Sequence, residues 1–162
     1  MTKPSGKIPE DHDVTLTLDG ELLLIKYDDH RAIEMPVNQQ ALATIYLPEN
    51  WERIVEAQTL SGNVSANAGL SFGSLTAHTV SGNIIATEVS CGVLTADTIS
   101  GDVLLSTVRT ERLKASTVSG DSSISLPIQP REMSLSSISG DVALRMDGGY
   151  QFIFKKHIGQ SA

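Results

Sequence analysis

Residues 79–84 read Thr79-Val80-Ser81-Gly82-Asn83-Ile84, and the phrase returns as Thr98-Ile99-Ser100-Gly101-Asp102-Val103 and Thr117-Val118-Ser119-Gly120-Asp121-Ser122. It is preceded by Thr59-Leu60-Ser61-Gly62-Asn63-Val64 and followed by Ser137-Ile138-Ser139-Gly140-Asp141-Val142. The five glycines are separated by 20, 19, 19 and 20 residues. A fixed period of this length, with so much agreement around it, is the mark of a repeat architecture.

The columns on either side of each glycine show what one repeat builds. Seven residues before it stand Val55, Leu75, Leu94, Leu113 and Met133; five before it, Ala57, Ala77, Ala96, Ala115 and Leu135. Three before it come Thr59, Thr79, Thr98, Thr117 and Ser137, and two before it the aliphatic file Leu60, Val80, Ile99, Val118 and Ile138. The second and fourth positions after it are mostly apolar, as in Val64 and Ala66 or Val103 and Leu105. Polar files such as Gln58, His78, Asp97, Ser116 and Ser136 run between them. Alternation with period two, rich in β-branched residues and punctuated by glycine, predicts short strands with one buried face.

A further apolar file, Leu70, Val89, Val108 and Ile128, lies eight residues past the glycine in the 20-residue repeats and seven past it in the others. The extra residue therefore falls in the corner just before this file. Gly73 and Gly92 mark another corner, with Arg112 and Pro130 near the corresponding places later. Each repeat is thus one turn of two or three short strands. Such a unit cannot bury its apolar face alone, but stacking on its neighbours gives a continuous core. Five coils with strands about 4.8 Å apart make a prism on the order of 24 Å long. An antiparallel sandwich with a hairpin every ten residues is the competing architecture. It ranks second, because like residues recur at whole-repeat spacing.

The fold expected is therefore all-β: a single right-handed β-solenoid of about five 19–20-residue coils, with capping strands at both ends. Residues 13–54 form the N-terminal cap, 55–146 the coils and 147–157 a C-terminal strand or lid, between loose tails at 1–12 and 158–162. Val14 to Tyr27 reads as a hairpin turning at Asp19-Gly20, and Ala41 to Leu47 as a strand stopped by Pro48. Trp51 is expected to pack near the first coil. Tyr150, Phe152 and Phe154 alternate in the terminal strand.

Composition narrows the function. Asp plus Glu outnumber Lys plus Arg by 19 to 12, giving a net charge of -7 that repels a phosphate backbone, so nucleic acid is not an expected partner. No run approaches the roughly 18 apolar residues of a membrane span. The opening MTKPSGKIPEDHDV lacks the apolar core of a signal peptide, so the expected location is cytoplasmic, or cell-surface or secreted if an export signal has been removed. A single cysteine, Cys91, excludes an intrachain disulfide and a cysteine-based zinc site. Its corner position leaves a buried inert thiol and a half-exposed one both open.

The run T-[VIL]-S-G-[DN]-[VI] at this spacing, with the approach IYLPENWERIVEAQTLSGNV, resembles the bacterial adhesin domain family, a β-strand-repeat domain of unknown function. The likeness covers roughly residues 40–145. It implies a right-handed β-solenoid, often carried on exported or membrane-anchored proteins and in some cases tied to envelope stress. It implies no catalytic residues.

The repeated side chains bear on several chemistries. The row Asn63, Asn83, Asp102, Asp121, Asp141 is a candidate for a hard cation, with Asp102, Asp121 and Asp141 as the charged members. Ordinary turn chemistry, an Asx side chain capping backbone amides, accounts for it better. The hydroxyl column before each glycine is not a nucleophile, since an active site needs one activated serine, and His12, His30, His78 and His157 keep no fixed offset to it. Nor is it a flat ice-binding array: Thr76 and Thr95 extend the threonines, but Lys114 and Ser134 break that file. A corner ladder of hydrogen bonds is expected instead. A polysaccharide-cleaving β-helix would need a carboxylate cluster in a long groove with aromatic platforms, and aromatics are only 4% of this chain. Asp97 and Asp102 are the nearest carboxylate pair, both at repeat positions with surface or turn roles.

The third position after the glycine points outward, and there Ile85 and Leu104 stack in adjacent coils as a candidate contact patch. The reading is a non-catalytic, adhesin-like solenoid presenting repeat faces to a protein or glycan at the bacterial envelope, without a cofactor. The alternative is an intracellular scaffold that self-assembles as a homo-oligomer through the solenoid ends. An enzyme ranks third.

Overall fold

The computed structural model describes residues 5–7, 13–28, 44–48, 50–67, 69–147 and 150–154. The first described strand is β1 (Ser5–Lys7), within the stretch expected to be a tail. A hairpin of β2 (Asp13–Asp19) and β3 (Leu22–Asp28) follows, and then β4 (Thr44–Tyr46), which pairs antiparallel with β1. Each of the five coils then contributes a long strand and a short one. They are β5 (Asn50–Ser61) with β6 (Val64–Ala66), and β7 (Ser71–Ser81) with β8 (Ile84–Thr87). Next come β9 (Ser90–Ser100) with β10 (Val103–Ser106), and β11 (Arg109–Ser119) with β12 (Ser122–Leu126). The last coil is β13 (Glu132–Ser139) with β14 (Val142–Met146), and β15 (Tyr150–Phe154) ends the described chain. The expected tail at residues 158–162 lies outside the described residues.

The long strands form one sheet in the order β13-β11-β9-β7-β5-β3-β2, and the short strands a second in the order β15-β14-β12-β10-β8-β6. Coil pairs on coil in parallel, with like residues opposite: Leu75 with Leu94 with Leu113, and Ala77 with Ala96 with Ala115. The protein is a β-solenoid of about five turns, and the antiparallel sandwich is excluded. The core runs as a rod between the sheets, with Leu94, Val103, Leu105 and Ile124 wholly enclosed. Trp51 is buried in its first coil, with the Arg53 guanidinium 5.3 Å from the ring centroid. Arg53 also donates to the Gly20 carbonyl at 2.9 Å, tying the hairpin to the first coil.

The Ser-Gly corner sets the registry of the stack. A Cβ built on Gly82 would lie 2.1 Å from the Gly62 carbonyl oxygen; on Gly101, 2.0 Å from that of Gly82; on Gly120, 2.1 Å from that of Gly101. No side chain fits there. Each corner is also bonded to the next, as the Gly82 N–H donates to Ser100 O and the Gly101 N–H to Ser119 O, both at 3.0 Å.

At four places the local structure departs from the sequence pattern or sharpens it. The hairpin turn falls one residue later, at Gly20-Glu21, because Asp19 pairs with Leu22 and Gly20 supplies the left-handed φ of 57° that a two-residue loop needs. The aliphatic file two residues before the glycine faces outward. Threonine takes the inward place because it shares the parity of the leucine and alanine columns. At the second glycine corner the residue opposite Gly92 is Glu111, since Arg112 pairs with Val93. The first coil carries a bulge there, where the register shifts between Trp51 and Ile54.

At the fourth, Ile128 is 60% exposed, while Leu126 and Pro130 on either side of it are buried. Gly69, Glu88 and Thr107 precede the other members of this file and are left-handed, with φ of 84°, 53° and 55°. Pro127 stands before Ile128, and its ring holds φ near -65°, so this coil turns its corner by another path.

The glycine contact gives a differential test. Gly101→Ala should destabilise the protein by about 3 kcal/mol in chemical denaturation. Gly62→Ala, at nearly the same φ (158° against 156°) but with only the Thr59 hydroxyl near its Cβ at 3.5 Å, should cost less than half as much. Equal losses would remove stacking as the reason for glycine.

Candidate functional site

The side chains that sequence inspection marks for chemistry are tied into the corner. The Thr79 hydroxyl donates to Gly62 O at 3.2 Å, Thr98 to Gly82 O and Thr117 to Gly101 O, both at 3.1 Å. These threonines are buried, so each hydroxyl both fills the core and satisfies a glycine carbonyl of the coil before it. Ser137 instead donates to Gly140 O of its own coil at 3.3 Å. The expected hydroxyl ladder is present.

The Asx row is a second ladder beside it. Asn63 Oδ1 accepts from the Asn83 N–H at 2.9 Å, and Asn83 Oδ1 from the Asp102 N–H at 2.8 Å. Asp102 Oδ1 accepts from Asp121 N–H at 2.9 Å, and Asp121 Oδ1 from Asp141 N–H at 2.8 Å. Asn and Asp interchange because the ladder uses only the oxygen both possess. The capping role is real, though the amide capped belongs to the following coil. Among the described residues no three His, Cys, Asp or Glu side chains group closely enough to hold a metal ion.

Cys91 is buried in the corner column between Phe72 and Thr110, which settles the two alternatives left open. Burial pushes its thiol pKa up, and a hydrogen bond with Thr110 offsets part of that rise. The group therefore stays a protonated thiol at neutral pH. Ser122 takes the place held by Val103 and Val142 in adjacent coils, and among the described residues its buried hydroxyl has no partner.

A family model described as Toastrack DUF4097 matches residues 5–151. The chain belongs to the Toastrack DUF4097 family. It is a domain family of unknown function, and the match carries no support for the adhesin label in particular. No curated protein and no solved structure matches the chain.

What this Toastrack domain offers a partner lies on its outer faces. Ile85 and Leu104 are opposite one another in register, with Leu104 exposed and Ile85 half-buried. Ser65 and Ser123 bound them, so this patch is two residues long. A longer apolar column runs along the outer face of the long-strand sheet. Leu60 is 52% exposed, Ile99 46%, Val118 40% and Ile138 58%, with half-buried Val80 between the first two. The signal that would have found it is parity: these residues stand one step from the inward threonines. Farther along the same outer face, Lys114 meets Asp97 across two coils at 3.6 Å, an exposed pair that contributes little to stability. Among the described residues no helix is long and apolar enough to cross a membrane.

The Asx ladder predicts a split between two substitutions at one position. Asp121→Asn keeps the acceptor and removes repulsion from Asp102 and Asp141, so its melting temperature should hold or rise. Asp121→Ala leaves the Asp141 N–H without its acceptor and should cost about 1 kcal/mol. Thermal and urea melts of the two variants check this.

Proposed function

We propose that this Toastrack domain is a non-catalytic repeat scaffold that presents its outer faces to a macromolecular partner, a protein or a glycan, at the bacterial envelope. The observation that carries the reading is the way the repeated polar groups are committed. Threonine hydroxyls bond glycine carbonyls, and Asx oxygens bond backbone amides, from coil to coil. The stack therefore spends its repeated chemistry on itself and offers outward columns of like residues at a spacing of about 4.8 Å. A flat array of this kind suits recognition of an extended surface better than the conversion of a small substrate. The adhesin-like sense of the reading rests on the sequence resemblance, and Ile85 with Leu104 is one contact surface it nominates.

Protease shaving of intact cells of the native bacterium, followed with an antibody to this domain, tests the envelope assignment. Digestion from outside is the expected result. Full protection together with recovery in the soluble cytoplasm would overturn it in favour of an intracellular, self-assembling scaffold.

A further inference from the structure

The column Leu60, Val80, Ile99, Val118, Ile138 crosses five adjacent strands of the long sheet and runs along the solenoid axis. Successive rungs are about 4.8 Å apart, so the column is about 19 Å long. Two independent features say what would cover it. The first is spacing. An α-helix laid along the column advances 5.4 Å per turn and falls out of step by only about half a rung over the whole length. An extended strand repeats its same-face side chains every 6.6–6.8 Å or so and is out of step by more than one rung over the same number of contacts. The second is charge. Three residues past each of the last three rungs stand Asp102, Asp121 and Asp141, around the Ser-Gly corner, while Asp97, on the other side of the column, is already paired with Lys114. The first two coils carry Asn63 and Asn83 in the same row. One flank of the column is thus acidic over its C-terminal half, and the chain as a whole has a net charge of -7, which disfavours a second copy as the occupant.

We propose that this column is the docking site for an amphipathic helix of a polypeptide partner, its aliphatic stripe on the rungs and lysine or arginine along the flank facing Asp102, Asp121 and Asp141. The inference rests on the partner-binding reading above and names the face and the chemical class of the partner. A helix of about 13 residues spans the column. The site is separate from Ile85 and Leu104, which lie on the outer face of the short-strand sheet.

The probe is a synthetic helical peptide with leucine on one stripe and lysine beside it. It is compared with the same peptide carrying alanine for leucine, which keeps helix and charge, and with an extended peptide of alternating valine and lysine. Fluorescence anisotropy should show the leucine helix binding at least about tenfold more tightly than either comparison peptide. The double substitution Ile99→Ser with Val118→Ser changes two exposed side chains and should weaken binding by about tenfold or more. Asp102→Asn with Asp121→Asn retains the Asx ladder, as Asn63 and Asn83 do, and should weaken binding and flatten its salt dependence. Ile128→Ser, at an exposed corner outside both sheets, should leave binding unchanged, and Ile85→Ser with Leu104→Ser tests the other surface.

Equal binding of the alanine helix would overturn the proposal, since charge alone would then suffice. Tighter binding of the extended peptide would overturn it, as would a mass that doubles with concentration in the unsubstituted chain but not in Ile99→Ser with Val118→Ser. Binding lost through Ile85 and Leu104 instead would overturn this site and leave the partner-binding reading standing. That reading fails separately, by cytoplasmic protection in the shaving experiment.

Discussion

The approach of one Ser-Gly corner to the next governs the rest of this structure. With a carbonyl oxygen 2.0–2.1 Å from where a Cβ would be, the backbones pack closer than any side chain permits. Strands that meet so closely at one corner have no freedom to slip along each other. Whole-repeat registry follows, and with it the pairing of leucine on leucine and alanine on alanine through the coils. The core is continuous because this contact repeats, and neither sheet would bury an apolar face without the other.

The same corner sorts the neighbouring residues into inside and outside. Threonine goes inward by strand parity, and for Thr79, Thr98 and Thr117 the preceding coil presents a glycine carbonyl that accepts from the hydroxyl. The next residue along must then face solvent, and the sequence places an aliphatic side chain there in every coil. On the far side of the glycine, the Asx side chain bridges to the amide of the following coil. Polar residues near the corner thus serve the fold, while an apolar column is left on the surface. That inversion of the usual division is where a functional reading finds its material.

Much of this was legible from spacing alone. The period around Gly62, Gly82, Gly101, Gly120 and Gly140 gave coil number, registry and the inward leucine and alanine columns, since all of these follow from repetition and period-two alternation. The Toastrack membership agrees with a repeat domain of unknown function. What spacing did not reveal depended on backbone shape. Ile128 matched its file by type, but Pro127 reroutes that corner and leaves it in solvent. The outward turn of Leu60 and its equivalents follows from parity, because they stand one step from the inward threonines. Ile85 and Leu104 were placed on the surface by the same parity rule, applied on the other side of the corner.

The stacking of like residues is tested most directly by nuclear Overhauser contacts across the alanine column in isotope-labelled protein. The account predicts contacts between Ala57 and Ala77, Ala77 and Ala96, and Ala96 and Ala115, hence at separations of 20, 19 and 19 residues. Contacts from these alanines to residues about ten positions away, as in antiparallel hairpins, with none at the repeat spacing, would contradict it.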